Sequence, residues 1–100
     1  ISKPKGEASR PGRGGYNLFK TLGWNQRTYN SVLELVTKLA KEKLDTTRSY
    51  RSQSKKAMHR LIEAVRKEYK FIEDYDNDWP VHDMLKTYLK NSSQTARNAR

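Results

Sequence analysis

The sequence has no cysteine among its 100 residues, which excludes disulfide bonds and cysteine-ligated zinc. No apolar run approaches the roughly 18 residues of a membrane span, and no signal peptide is visible. We therefore expect neither a membrane protein nor a secreted one. The alternation of strands and any internal repeat are also missing. The whole sequence is 34% hydrophobic, which is enough for one small helical domain of modest stability.

Catalytic and metal-binding patterns are missing from the sequence as well. It contains no GxSxG elbow, no Gly-rich phosphate loop with its lysine and no HExxH motif. His82 and Asp83 are neighbours in sequence, but adjacent side chains diverge on a helix and do not form a dyad. The acidic run 74–78 matches only the opening of a calcium loop and lacks the loop's later glycine and glutamate. We predict no enzyme, no cofactor and no bound metal.

Positive charge is what the sequence has in excess. Lysine and arginine total 21 against 11 aspartate and glutamate residues, a net charge of +10. Such a balance predicts attraction to a polyanion, which can be DNA, RNA, an acidic membrane or an acidic protein. A lysine-rich surface that only aids solubility has the same composition. The position of the charges therefore has to distinguish a polyanion-binding surface from a solubilising one.

Apolar periodicity predicts an all-α fold, a small three-helix bundle that is helix-turn-helix-like, with a short N-terminal helical turn. The first long helix should span 26–44 with Asn25 as its cap, and the second 53–69 with Ser52 as its cap. The last begins at Pro80, a residue suited to the first helical position. Val81, Met84, Leu85, Tyr88 and Leu89 should form its buried face, with His82, Lys86 and Lys90 on the opposite, basic face.

The short N-terminal turn has its own start and stop signals. Asn17 can cap it and Gly23 can end it. Trp24 follows directly, and we expect it to be part of a lid over one end of the core. The alternative for Trp24 is an exposed ring that stacks on a base.

Three segments follow from composition. Residues 1–15 hold four basic residues, one acid and almost nothing apolar, which predicts a disordered basic arm. Residues 16–92 form the helical bundle domain. Residues 93–100 are a polar basic tail that either frays or extends the last helix. In the arm, Arg10 and Arg13 belong either to a plain linker or to a segment that follows a nucleic-acid groove. We expect the chain to be a piece of a longer protein.

The leading functional hypothesis is a domain that binds duplex DNA and reads it with the last helix. Lysine and arginine on that helix would meet phosphates or guanine, and its amides and threonine would read base edges. Basic residues between positions 45 and 56, a segment of net charge +3, would hold the backbone near a helix N-terminus. The residues assigned to nucleic-acid binding are Lys86, Thr87, Lys90, Asn91, Gln94, Arg97, Arg48, Arg51, Lys55, Lys56, Arg10 and Arg13.

One feature opposes this hypothesis, and two alternatives remain. The connection before the last helix runs about nine residues and is acidic, whereas the usual helix-turn-helix turn is about 3–4 residues. A helical protein-interaction module of a nuclear scaffold or regulatory protein is the first alternative, with anchors among Trp24, Tyr50, Tyr75 and Trp79. RNA binding is the second. A DNA-binding role implies a nuclear protein of transcription or chromatin if the source is eukaryotic, and a cytoplasmic one otherwise.

Overall fold

The computed structural model describes residues 1–3 and 17–98. Most of the predicted arm, including Arg10 and Arg13, lies outside the described residues. The described part is helical and contains no strand, so the predicted all-α bundle is confirmed. The helices are α1 (Leu18–Leu22), α2 (Gln26–Lys43), α3 (Lys55–Glu68) and α4 (Trp79–Asn98), with short 3-10 turns at Tyr50–Ser52, Lys70–Asp74 and Asp76–Asp78.

The first two helices begin and end where their caps predict. The Asn17 side chain accepts a hydrogen bond from the Lys20 amide at 3.1 Å, and Asn25 accepts one from the Thr28 amide at 2.7 Å. Gly23 ends α1 at φ +68°, a left-handed conformation that costs glycine little because it has no Cβ. These signals are local, which explains why they could be read from the sequence.

The start of α3 corrects the predicted cap. Ser54, and not Ser52, caps the helix, with its hydroxyl accepting from the Ala57 amide at 3.4 Å. Ser52 instead closes the 3-10 turn that begins at Tyr50. Both serines have the side chain that a cap requires. Contacts between Tyr50 and α4 hold the Tyr50–Ser52 turn outside the helix, and α3 therefore begins after Ser54.

The core lies between α2 and the helices on its two sides, since α2 packs against both α3 and α4. α1 covers part of α4, and the Lys70–Asp74 turn closes the end of α3. Val81, Met84, Leu85 and Leu89 are buried as predicted for α4, and Tyr88 is half-buried at the edge of this face. Side chains with no solvent exposure come from every long helix and from the Lys70–Asp74 turn: Val32, Val36, Ala40, Leu61, Val65, Ile72, Val81, Leu85 and Leu89.

The acidic connection before α4 is structured. It forms two consecutive 3-10 turns, and Asn77 and Asp78 take positive φ values of 52° and 55°, which these short polar side chains tolerate better than most. Above it, Trp24 stands edge-on to Phe71 with ring centroids 5.0 Å apart, and its indole N–H donates to the Tyr75 hydroxyl at 3.0 Å. Trp24 therefore belongs to the aromatic lid that the sequence predicted.

The first three residues depart from the predicted disorder. The Trp79 indole donates to the backbone carbonyl of Ile1 at 3.0 Å. The Lys3 ammonium lies 3.5 Å from the Asp83 carboxylate, which is only 2% exposed. Composition could not indicate this because both contacts are made across the whole domain. Among the helices that the structure describes, none has the length and apolar character needed to cross a membrane.

Candidate nucleic-acid interface

The six residues predicted on the last helix share one exposed side of α4. They recur at intervals of one, three or four positions, which at about 100° per residue keeps them within one broad face. All six are exposed, while the opposite side of α4 is in the core. A helix of 20 residues is about 30 Å long. We name this surface the outer face, composed of Lys86, Thr87, Lys90, Asn91, Gln94 and Arg97.

His82 does not belong to the outer face, and this corrects the predicted basic side. The ring is half-buried, and its Nδ1 lies 2.6 Å from the Tyr50 hydroxyl. Burial lowers the pKa of the imidazole below its ordinary value, and the Asp78 carboxylate opposes that shift only in part. His82 is therefore mainly uncharged at neutral pH and serves as a packing and hydrogen-bonding partner instead of a surface cation.

Tyr50 joins the loop before α3 to the side of α4. Its ring meets the His82 ring edge-on at 5.9 Å between centroids, and the Lys86 ammonium lies 5.4 Å from its ring centroid, within the range of a cation–π contact. Burial, with a further contribution from the Asp83 charge, raises the pKa of the Tyr50 hydroxyl. The phenol thus keeps its proton and holds the loop against α4 over a wide pH range.

The loop itself, residues 45–53, is organised by one side chain that the sequence analysis missed. The Gln53 amide oxygen accepts from the Asp45 N–H at 3.0 Å, and its NH₂ group donates to the carbonyls of Asp45, Arg48 and Ser49 at 2.7, 3.1 and 3.2 Å. We name this segment the arginine loop because it carries Arg48 and Arg51. No local signal marks Gln53, since the same residue is equally suited to the first turn of a helix.

Asp45 adds a second set of contacts within the arginine loop. Its carboxylate accepts hydrogen bonds from the Thr47 amide, at 3.0 Å, and from the Thr47 hydroxyl. These hydrogen bonds lower the pKa of Asp45, because they favour the charged form. The Arg48 guanidinium approaches the same carboxylate at 3.5 Å through Nε. The arginine loop is therefore held by hydrogen bonds and an ion pair among its own residues.

Folding brings the arginine loop and the end of α4 together. Arg48 and Arg97, which the sequence analysis placed in two separate basic segments, line the same surface groove of about 320 Å³. Both of these arginines are exposed, and hydroxyl side chains line the rest of the groove. We name it the arginine groove, and its lining residues are Thr47, Arg48, Ser49, Ser52, Ser93 and Arg97.

The other predicted basic residues are less closely gathered. Arg51 is exposed on the Tyr50–Ser52 turn, which packs against α4. Lys55 and Lys56 are exposed in the first turn of α3, but they are outside the lining of the arginine groove. The structure thus brings Arg48 into one groove with Arg97 of the outer face, whereas Arg51, Lys55 and Lys56 do not line that groove.

A group of acidic residues lies at the start of α4, the end opposite to the arginine groove. Glu73 and Asp78 both approach the Arg66 guanidinium, at 3.7 and 3.5 Å. Asp83 is buried and paired with Lys3. From residue 84 to the end of the chain there are four basic residues and no acid. Charge is therefore polarised along the helix, with the acids near its start and the bases on its exposed later turns.

No protein-family model, no curated protein and no solved structure matches this chain.

Proposed function

We propose that this protein is a nucleic-acid-binding domain that engages duplex DNA through the outer face of α4. The observation that carries the proposal is the alignment of six exposed basic and hydrogen-bonding side chains on one side of a helix whose other side is buried. A helix of this kind fits the major groove, which is about 12 Å wide. The buried side supplies rigid support, so the exposed side can be presented without refolding.

The side chains on the outer face suit two kinds of contact. Lys86, Lys90 and Arg97 can neutralise phosphates, and an arginine can also pair with guanine. Asn91 and Gln94 carry amides, which can pair with the edge of adenine through two hydrogen bonds. The acids at the other end of α4 would repel the backbone there, so charge alone would set the direction in which the helix approaches.

The protein-interaction alternative loses its main support in the structure. It depended on exposed aromatic anchors, but Trp79 is only 5% exposed and Trp24 is packed against Phe71 and Tyr75. Tyr50 is hydrogen-bonded to His82 and contacted by the Lys86 ammonium. RNA binding rests on the arm, whose arginines lie outside the described residues, and the comparison of duplex DNA with single-stranded RNA below tests it. The support for duplex DNA is the exposed side of α4 described above.

The test is binding of a short mixed-sequence DNA duplex, measured by fluorescence anisotropy between about 50 and 200 mM salt. The double variant Lys86→Ala with Lys90→Ala should weaken binding and reduce the slope of log K against log salt by about 0.9 for each phosphate that is no longer neutralised. Circular dichroism should show the same helix content as the wild type, since both lysines are exposed.

A matched control separates a binding face from net charge. Lys38 and Lys41 on α2 are exposed and lie in a groove that also contains Glu34 and Glu42. The variant Lys38→Ala with Lys41→Ala removes the same two charges and should bind nearly as well as the wild type. Equal losses of affinity in both double variants, or equal binding to heparin, single-stranded RNA and duplex DNA, would contradict the proposal.

A further inference from the structure

The arginine groove has the chemistry of an anion site, and none of its lining residues is acidic. Its two guanidinium groups come from different parts of the chain, Arg48 from the arginine loop and Arg97 from the later turns of α4. The larger polar groove on α2 differs, because its two lysines are accompanied by Glu34 and Glu42 and its charge sums to zero. The arginine groove keeps a net positive charge even when Asp45, which pairs with Arg48, is counted with its two arginines, so an anion gains a net attraction there that the α2 groove does not offer.

The donors that remain for a ligand follow from the hydrogen bonds. The hydroxyls of Thr47 and Ser93 already donate, to the Asp45 carboxylate and to the Lys90 carbonyl. The Ser49 and Ser52 hydroxyls lie 3.3 Å apart, so one of them donates to the other and a single hydroxyl proton is left over. The groove therefore combines that hydroxyl with two arginines.

The geometry of a guanidinium decides which anion suits this set. An arginine offers parallel N–H groups that match two oxygens of one phosphate, and a phosphate oxygen also accepts from hydroxyls. The Arg48 guanidinium meets Asp45 through Nε, which leaves its terminal NH₂ groups for a ligand. Because Gln53 and Tyr50 already hold the arginine loop in shape, little ordering is needed when the phosphate arrives.

We propose that the arginine groove is a phosphate-binding site in which Arg48 and Arg97 together bind one phosphate group of the nucleic-acid backbone, beside the outer face of α4. This assignment of the carrier rests on the proposed function, while the preference for a phosphate group does not. A phosphate held at this place would fix the position of α4 along the duplex, because phosphate contacts set register and base contacts set sequence preference.

The first experiment uses inorganic phosphate alone, added at constant ionic strength and followed in ¹H–¹⁵N spectra of the whole chain. Saturable shifts confined to residues 47–52 and 93–97, together with the side-chain N–H signals of Arg48 and Arg97, are expected. They should vanish in Arg48→Gln with Arg97→Gln and persist in Arg27→Gln with Arg60→Gln, which removes two exposed arginines from elsewhere. Shifts spread over all lysines, or shifts that do not saturate, would contradict a phosphate-binding site in the arginine groove.

The second experiment repeats the duplex titration with the same variants. Because the two arginines share one phosphate, the double variant Arg48→Gln with Arg97→Gln should reduce the salt slope by about 0.9, the value for one phosphate, and not by twice that value. Each single variant should reduce the slope by less than the double variant, because the remaining arginine still contacts the phosphate. An unchanged slope in the double variant would refute the assignment to the backbone. Saturable binding of inorganic phosphate by a protein that binds no duplex would support the phosphate-binding site and refute the proposed function. Failure of the site and failure of the proposed function are therefore distinguishable.

Discussion

Acid should destabilise this domain through His82. The ring is half-buried against Tyr50, and burial is the main reason that its pKa is lowered, with smaller effects from Asp78, Lys86, Asp83 and Lys3. In the unfolded chain the same imidazole titrates near 6.5. Between the two pKa values the unfolded state binds more protons than the folded state, so the free energy of unfolding rises with pH across that window and falls as acid is added.

The magnitude of the effect follows from the number of protons involved. One histidine contributes at most one proton, which limits the slope to about 1.36 kcal/mol per pH unit. Above about pH 7.5 both states hold a neutral ring and the contribution disappears. In the protonated ring both nitrogens carry a proton, so Nδ1 donates and the Tyr50 hydroxyl accepts, whereas in the neutral ring the direction of this hydrogen bond depends on the tautomer. The same acidification should therefore shift the signals of the arginine loop.

Denaturant unfolding at pH values between about 7.5 and 5.5 tests this directly, since most carboxylates titrate below that range. The chain has two histidines, which gives a matched pair of variants. His82→Gln should flatten the pH dependence, whereas His59→Gln, which changes an exposed ring paired with Glu63, should keep it. An unchanged slope in His82→Gln, or a midpoint for the His82 ring at or above 6.5 by NMR, would refute the reasoning.

Two further predictions concern the parts that support the interface. Gln53→Glu keeps the size of the side chain but removes its NH₂ group, so the carbonyls of Asp45, Arg48 and Ser49 lose that donor. Because these hydrogen bonds are exposed to solvent, we expect the free energy of unfolding to fall by about 0.5–1.5 kcal/mol. Loop amides should exchange faster, and unchanged exchange would contradict the role of Gln53. Leu89→Ala empties a fully buried site on α4 and should cost about 2–5 kcal/mol in denaturant unfolding. Leu35→Ala, at a partly exposed position, is the control and should cost less.

Much of the helical framework could be read from the sequence because its signals are local. Asn17, Gly23 and Asn25 act within one helical turn, and the structure places each cap as predicted. The outer face of α4 was also predictable, since a period of 3.6 residues assigns every side chain to a side of the helix once its apolar side is known. The end of α4 was less certain in advance, because no residue after Asn91 either requires or forbids helix.

The sequence by itself determined the three long helices, the caps of α1 and α2, and which side of α4 carries the lysines. Only the tertiary structure decided that His82 is half-buried against Tyr50, that Asp83 is buried and paired with Lys3, and that Arg48 and Arg97 line one groove. The physical reason is the range of the interactions. Caps and periodicity act between residues a few positions apart, whereas burial and the meeting of distant charges depend on how the helices pack together.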